Sequence, residues 1–147
     1  MSRFDRLVGL RRLREEAAAL RFSESVARLR EADNRLQRLA EETEQVRQEA
    51  VTAVRENDRL PVNRYEDFYR GQRVREFHLQ RDRQESVKGM ELARQVWQEA
   101  RTQLRQVEKL AEKDDARLFE EQKRNQLKAI DEAGTVRYQF RDMEYEG

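Results

Sequence analysis

The stretch from Asn57 to Gln72, NDRLPVNRYEDFYRGQ, holds the chain's single proline and separates two long helical patterns. Proline has no backbone N–H to donate and disfavours helical geometry in the residue before it. Leu60-Pro61 is therefore expected to end one helix and reverse the chain. The fold predicted is all-α: two long helices in an antiparallel coiled-coil hairpin, the second longer. One domain over residues 1–147 is expected, with helix one at about 3–58, the turn at about 59–64 and helix two at about 65–140. Just past the proline stand Tyr65, Phe68, Tyr69 and Phe77, four of the chain's eleven aromatics.

Before the turn, apolar and small residues recur in heptads. Phe22, Leu29, Leu36, Thr43 and Ala50 form one series; Ser25, Ala32, Leu39, Val46, Ala53 and Leu60 form the other. This 4-3 alternation marks a coiled-coil seam. Upstream, Leu10, Leu13, Ala17 and Leu20 keep the alternation two residues out of phase, which predicts a local change of supercoil. Many seam residues are only Ala, Ser or Thr, so the arm packs closely and needs its partner. Its first turns are basic (Arg3, Arg6, Arg11, Arg12, Arg14) around an apolar stripe of Phe4, Leu7, Val8, Leu10 and Leu13. Two readings of that end stand: the stripe faces the second arm, or it docks on an anionic lipid surface or a partner's socket.

After the turn a seam reappears as Met90, Trp97, Leu104, Ala111 and Leu118, with Ala93, Ala100 and Val107 between them. A reversal centred on Pro61 aligns Ala32 with Met90, Leu29 with Ala93, Ser25 with Trp97, Phe22 with Ala100, Ala18 with Leu104 and Phe4 with Leu118. Small residues then face large ones, as an evenly filled two-stranded seam requires. Residues 79–89 are almost wholly polar and end in Gly89, so a soft zone is expected there. Past Leu118 the second arm has no first-arm partner. Phe119, Leu127, Ile130, Val136, Tyr138 and Phe140 lie on this overhang, and their burial requires another molecule.

Charged residues make up 41% of the chain against 37% hydrophobic, too polar for a globule with a large core but suited to a narrow seam. The 31 basic and 30 acidic residues are interleaved, which favours solvated helix faces over a nucleic-acid arm. There is no cysteine and no run approaching the ~20 apolar residues of a membrane span, and residues 1–16 have no continuous apolar run and are not expected to act as a secretory signal, so a reducing cytoplasm is expected. His78 is the sole histidine and has no second ligand at metal-binding spacing. The carboxylate pairs Asp114-Asp115 and Glu120-Glu121 point different ways around a helix, and the glycines form no phosphate-cradling loop. No enzyme activity and no cofactor are expected. What remains is interaction surface. Tyr65, Phe68 and Tyr69 share a helix face, either capping the hairpin against Leu60, Val62 and Phe77 or presenting a binding patch.

The run QVEKLAEKDDARLFEEQKRNQLKAIDEAGTVRYQF resembles the C-terminal part of the FliJ family of flagellar type III export proteins. The resemblance rests on Lys109, Leu110, Glu112, Lys113, Lys128, Asp131, Glu132, Tyr138 and Phe140, and on NRYEDFYRGQRVREFHLQ at the start of helix two. The YscO-type stalk proteins of non-flagellar type III secretion are similar. The resemblance implies a peripheral component of the export apparatus at the inner membrane, with no enzyme activity. It implies a stalk that inserts its terminal helices into the ring of the export ATPase hexamer, promotes its assembly or activity, and links it to the cytoplasmic domain of the membrane export gate. Substrate chaperones are further partners it implies. Under it, Phe4, Arg11, Leu127, Ile130, Asp131, Glu132, Tyr138 and Phe140 meet the ATPase ring, and Tyr65, Phe68, Tyr69 and Phe77 meet the gate. The alternatives are a general coiled-coil scaffold or chaperone escort without ATPase coupling, and a membrane-surface or nucleic-acid binder using the N-terminal arginines.

Overall fold

The computed structural model describes residues 2–56, 59 and 61–146, with side chains up to 143. Leu60, expected in the seam and beneath the aromatic patch, lies outside the described residues, as do Asn57 and Asp58. Two helices account for the fold: α1, Asp5–Arg55, and α2, Val62–Glu146. They pair antiparallel, and the second is the longer. The chain forms two compact units, Met1–Arg14 with Arg101–Gly147, and Glu15–Ala100.

Each helix end has a local cause. Ser2 precedes α1; its carbonyl accepts the Asp5 N–H at 3.1 Å and its hydroxyl accepts the Phe4 N–H at 3.2 Å. Asp5 then places a carboxylate in the first turn, where the helix dipole favours it. Arg55 does the converse in the last turn. The proline acts differently from the expectation: it begins α2 instead of closing α1. The Pro61 carbonyl accepts from Arg64 N at 2.9 Å and Tyr65 N at 3.3 Å. A residue at a helix start leaves its N–H unused in any case, so the missing donor costs nothing there and the fixed φ suits the helix. Val62, Asn63 and Arg64, expected in the turn, are thus helical, and α1 stops at Arg55 instead of near residue 58.

In the unit Glu15–Ala100 the buried and half-buried residues keep 4-3 spacing. On α1 they include Ala18, Phe22, Ser25, Leu29, Ala32, Leu36, Leu39 and Thr43; on α2, Tyr65, Tyr69, Gln72, Leu79, Ser86, Met90, Ala93 and Trp97. Leu39 is the most enclosed of the apolar residues, and burying a leucine stabilises a fold by about 1.5–3 kcal/mol. The register differs from the expected one by nearly a heptad. Phe22 stacks on Trp97, Asp33 pairs with Arg83 and Thr43 bonds to Gln72; Phe22 was expected beside Ala100 and Ser25 beside Trp97. Pro61 accordingly stands immediately before α2, its carbonyl accepting the first hydrogen bonds of that helix, and is not the centre of the pairing.

In the other unit the α1 seam consists of Phe4, Val8 and Arg11, against Leu104, Val107, Ala111, Asp114 and Leu118 of α2. The out-of-phase upstream seam is not formed. Leu10, Leu13 and Leu20 are exposed at 46%, 65% and 62%, while polar Arg11 and Glu15 occupy the inward positions. An Arg11 η nitrogen donates to Gln103 Oε1 at 2.7 Å while its Nε is buried without a hydrogen-bond partner; within Glu15–Ala100, Glu15 Oε1 accepts the Trp97 indole N–H at 2.9 Å. A heptad pattern read from apolar residues alone therefore selects the wrong face of this first stretch.

Candidate functional surface

No group of three or more His, Cys, Asp or Glu side chains that could hold a metal occurs among the described residues, and no described helix is long and apolar enough to cross a membrane. His78 is exposed, its ring edge-on to Phe77 at 5.7 Å. Surface chemistry is concentrated in three places.

The first is the start of the chain against α2. The Ser2 hydroxyl donates to Asp114 Oδ2 at 2.9 Å, and Asp114 Oδ1 accepts from Arg117 at 3.1 Å. Arg3 adds a longer ion pair at 3.9 Å and lies over the Phe4 ring at 5.0 Å. The Ser2 hydrogen bond above all, then Arg117 and Arg3, hold the Asp114 carboxyl below its ordinary pKa against the opposing effect of desolvation. Phe4 and Arg11, two of the expected partner-binding residues, are half-buried here. The exposed apolar residues of this end are instead Leu7, Leu10 and Leu13.

The second place is α2 beyond Leu118, where every described side chain is exposed. Continuing the seam past Leu118 meets only Glu121, Asn125, Lys128, Glu132, Thr135, Gln139 and Asp142, all polar. A different stripe begins one residue on. Phe119, Gln122, Gln126, Ala129, Ala133, Val136, Phe140 and Met143 follow one another at alternating spacings of three and four. Phe119 and Phe140 are each 65% exposed. The overhang thus turns away from the hairpin's own seam and presents a second heptad stripe. Of the residues singled out from sequence, Phe140 lies on that stripe, Ile130 and Glu132 flank it on opposite sides, and Leu127, Asp131 and Tyr138 face elsewhere on the helix. Phe119 and Val136 are expected from sequence to need a partner molecule, but Met143 is not; the one-residue phase step after Leu118 is the signal that joins the three to Phe140 on one face.

Third is the start of α2. Tyr65, Phe68 and Tyr69 are half-buried, and Phe68 meets Tyr69 edge-on at 5.6 Å. Tyr69, Gln72 and Glu76 line a groove of about 550 Å³ with Leu36, Leu39 and Thr43. Phe77 is 65% exposed and points away from this cluster. The patch is therefore divided: three aromatics partly serve the hairpin, and one does not.

The sequence model of one family, described as "Flagellar FliJ protein", matches residues 1–142. Neither a curated protein nor a solved structure matches the chain in the same comparisons. With nearly its whole length matched and with the antiparallel helical hairpin in place, the chain belongs to the FliJ family of flagellar type III export components.

Proposed function

We propose that this protein is a stalk of the flagellar export apparatus, carrying its ATPase-binding surface on the terminal helices and its gate-binding surface at the start of α2. The observation that carries the reading is the overhang. Residues 119–143 continue α2 without α1, and their apolar stripe is out of phase with the hairpin seam. Large apolar side chains held in water contribute nothing to stability until something covers them. A 3-4 spacing presents them to a helix or a helix-lined socket, as the interior of an ATPase ring provides. The exposed Leu10 and Leu13, ringed by Arg6, Arg12 and Arg14, supply a second apolar and basic contact.

Phe77 and the Phe68–Tyr69 pair are the residues through which the start of α2 would meet the cytoplasmic domain of the export gate. Substrate chaperones are a further class of partner for the same aromatics. The role is one of binding and coupling, without catalysis, at the cytoplasmic face of the inner membrane.

The test is sedimentation of the purified chain with its cognate export ATPase. Movement of the ATPase into a hexameric species containing the chain supports the stalk. No association, combined with chaperone binding, favours the escort role. Binding to nucleic acid or anionic vesicles that falls steeply with salt favours the basic-arm reading instead.

A further inference from the structure

Within Glu15–Ala100 two registers one heptad apart both set small side chains against large ones: the observed pairs put Ala18 and Ser25 level with Trp97 and Met90. Phe22 lies on Trp97, one large ring on another, with centroids 5.5 Å apart. Nearby, the small residues Ser25, Ala32, Ser86, Gly89 and Ala93 line a groove of about 780 Å³ together with Leu79 and charged side chains of both helices. A one-heptad slide of α2 would bring Ser25 to Trp97 and Ala32 to Met90, small against large. Apolar heptads repeat every seven residues, so burial alone hardly distinguishes the two alignments. Something else must hold the observed one.

Polar pairs do distinguish them. Gln72 is 6% exposed. Its Nε2 donates to Thr43 Oγ1 at 3.1 Å, and the Thr43 hydroxyl donates to the Leu39 carbonyl at 2.9 Å. The Gln72 Oε1 accepts from Arg75 at 3.1 Å, and Arg75 pairs with Glu42 on the opposite helix at 3.5 Å. Seven residues from Thr43 in either direction stand Leu36 and Ala50, and neither side chain can accept a hydrogen bond. After a slide Gln72 Nε2 would lose its acceptor while Oε1 kept Arg75, leaving a buried donor unpaired, the costly outcome for a polar group. We propose that the Thr43–Gln72 hydrogen bond, braced by Arg75 and Glu42, is a register lock that holds the hairpin against a one-heptad slip of about 10 Å. Buried polar residues set alignment in this way in other coiled coils, at a cost in stability.

The chain has no cysteine, so paired cysteines can report the register directly. In the full chain, D33C with R83C reports the observed alignment, and D33C with M90C reports the slipped one. Both reporters remove the Asp33–Arg83 pair, and M90C also removes a seam side chain, so each reporter is compared with itself across backgrounds. In the parent, the 33–83 cross-link should dominate. In a T43V/Q72L background the 33–90 product should rise by roughly tenfold or more, whereas T43S, which keeps the hydroxyl, should leave the parent pattern. A T43V/Q72L chain of full helicity with no more 33–90 product than the parent would overturn the lock. Should that background lose helix, Q72L alone, which adds an apolar seam residue, is judged by the same criterion.

Discussion

The Phe22 ring lies flat on the Trp97 indole, with 5.5 Å between centroids and 5° between planes, while the indole N–H is held by Glu15 at 2.9 Å. Trp97 is the chain's one tryptophan, so this contact has its own optical probe. Phe22→Ala removes a half-buried ring from a seam with few large residues and should cost about 2–3 kcal/mol. A lower urea midpoint and a red-shifted emission are expected together. An unchanged midpoint would mean the stacking contributes nothing.

At the start of the chain, acid should loosen the Ser2–Asp114 contact. The Asp114 carboxyl is depressed in the folded chain, chiefly by the Ser2 hydroxyl. A depressed carboxyl contributes stability that is present above its unfolded value of ~3.9 and is lost as pH falls through the folded value. Protection of the amides in the first turns of α1, measured relative to their intrinsic exchange rates, should therefore fall below about pH 4 in the parent. Asp114→Asn, which cannot ionise, should show no such acid step, and an identical step in both chains would assign it to other carboxylates.

Much of this architecture is legible in residue order. The 4-3 series from Phe22 to Ala53 and from Met90 to Leu118 specifies two helices and the face on which they meet. The register is not legible, because the pattern repeats every seven residues and the discriminating atoms belong to Gln72, Thr43, Glu15 and Asp114, which an apolar reading passes over. Pro61 misleads for a related reason: its missing donor is disruptive inside a helix and harmless at its start. Leu10, Leu13 and Leu20 mislead because a leucine stripe implies a seam, whereas here Arg11 and Glu15 are hydrogen-bonded inward. The overhang itself is legible from length alone; the rotation of its stripe requires following the phase past Leu118.

That rotation gives a prediction specific to one face. Val136→Asp with Phe140→Asp should abolish association with the export ATPase, whereas Tyr138→Asp, off the stripe, should weaken it far less. All three side chains are exposed, so helicity should be unchanged within about 0.5 kcal/mol of stability. Circular dichroism and a binding isotherm check both halves. Equal losses from all three substitutions would indicate a contact around the whole helix.

The turn aromatics should act independently of the overhang. Phe68→Ala with Tyr69→Ala removes two half-buried rings, and a stability loss of about 1–2 kcal/mol is expected. Phe77→Ala, at an exposed ring, should cost almost nothing in stability and weaken gate binding by about tenfold if it is an anchor. Titration against the gate's cytoplasmic domain measures this. Gate affinity unchanged in both variants would remove the start of α2 as that contact.

The most direct test is the turnover of the cognate export ATPase with the whole chain and with a chain ending at residue 126. The stalk reading predicts that the whole chain raises turnover and that the shortened chain, its α1–α2 seam intact up to Leu118, does not. Equal stimulation by both would contradict it, as would none by either.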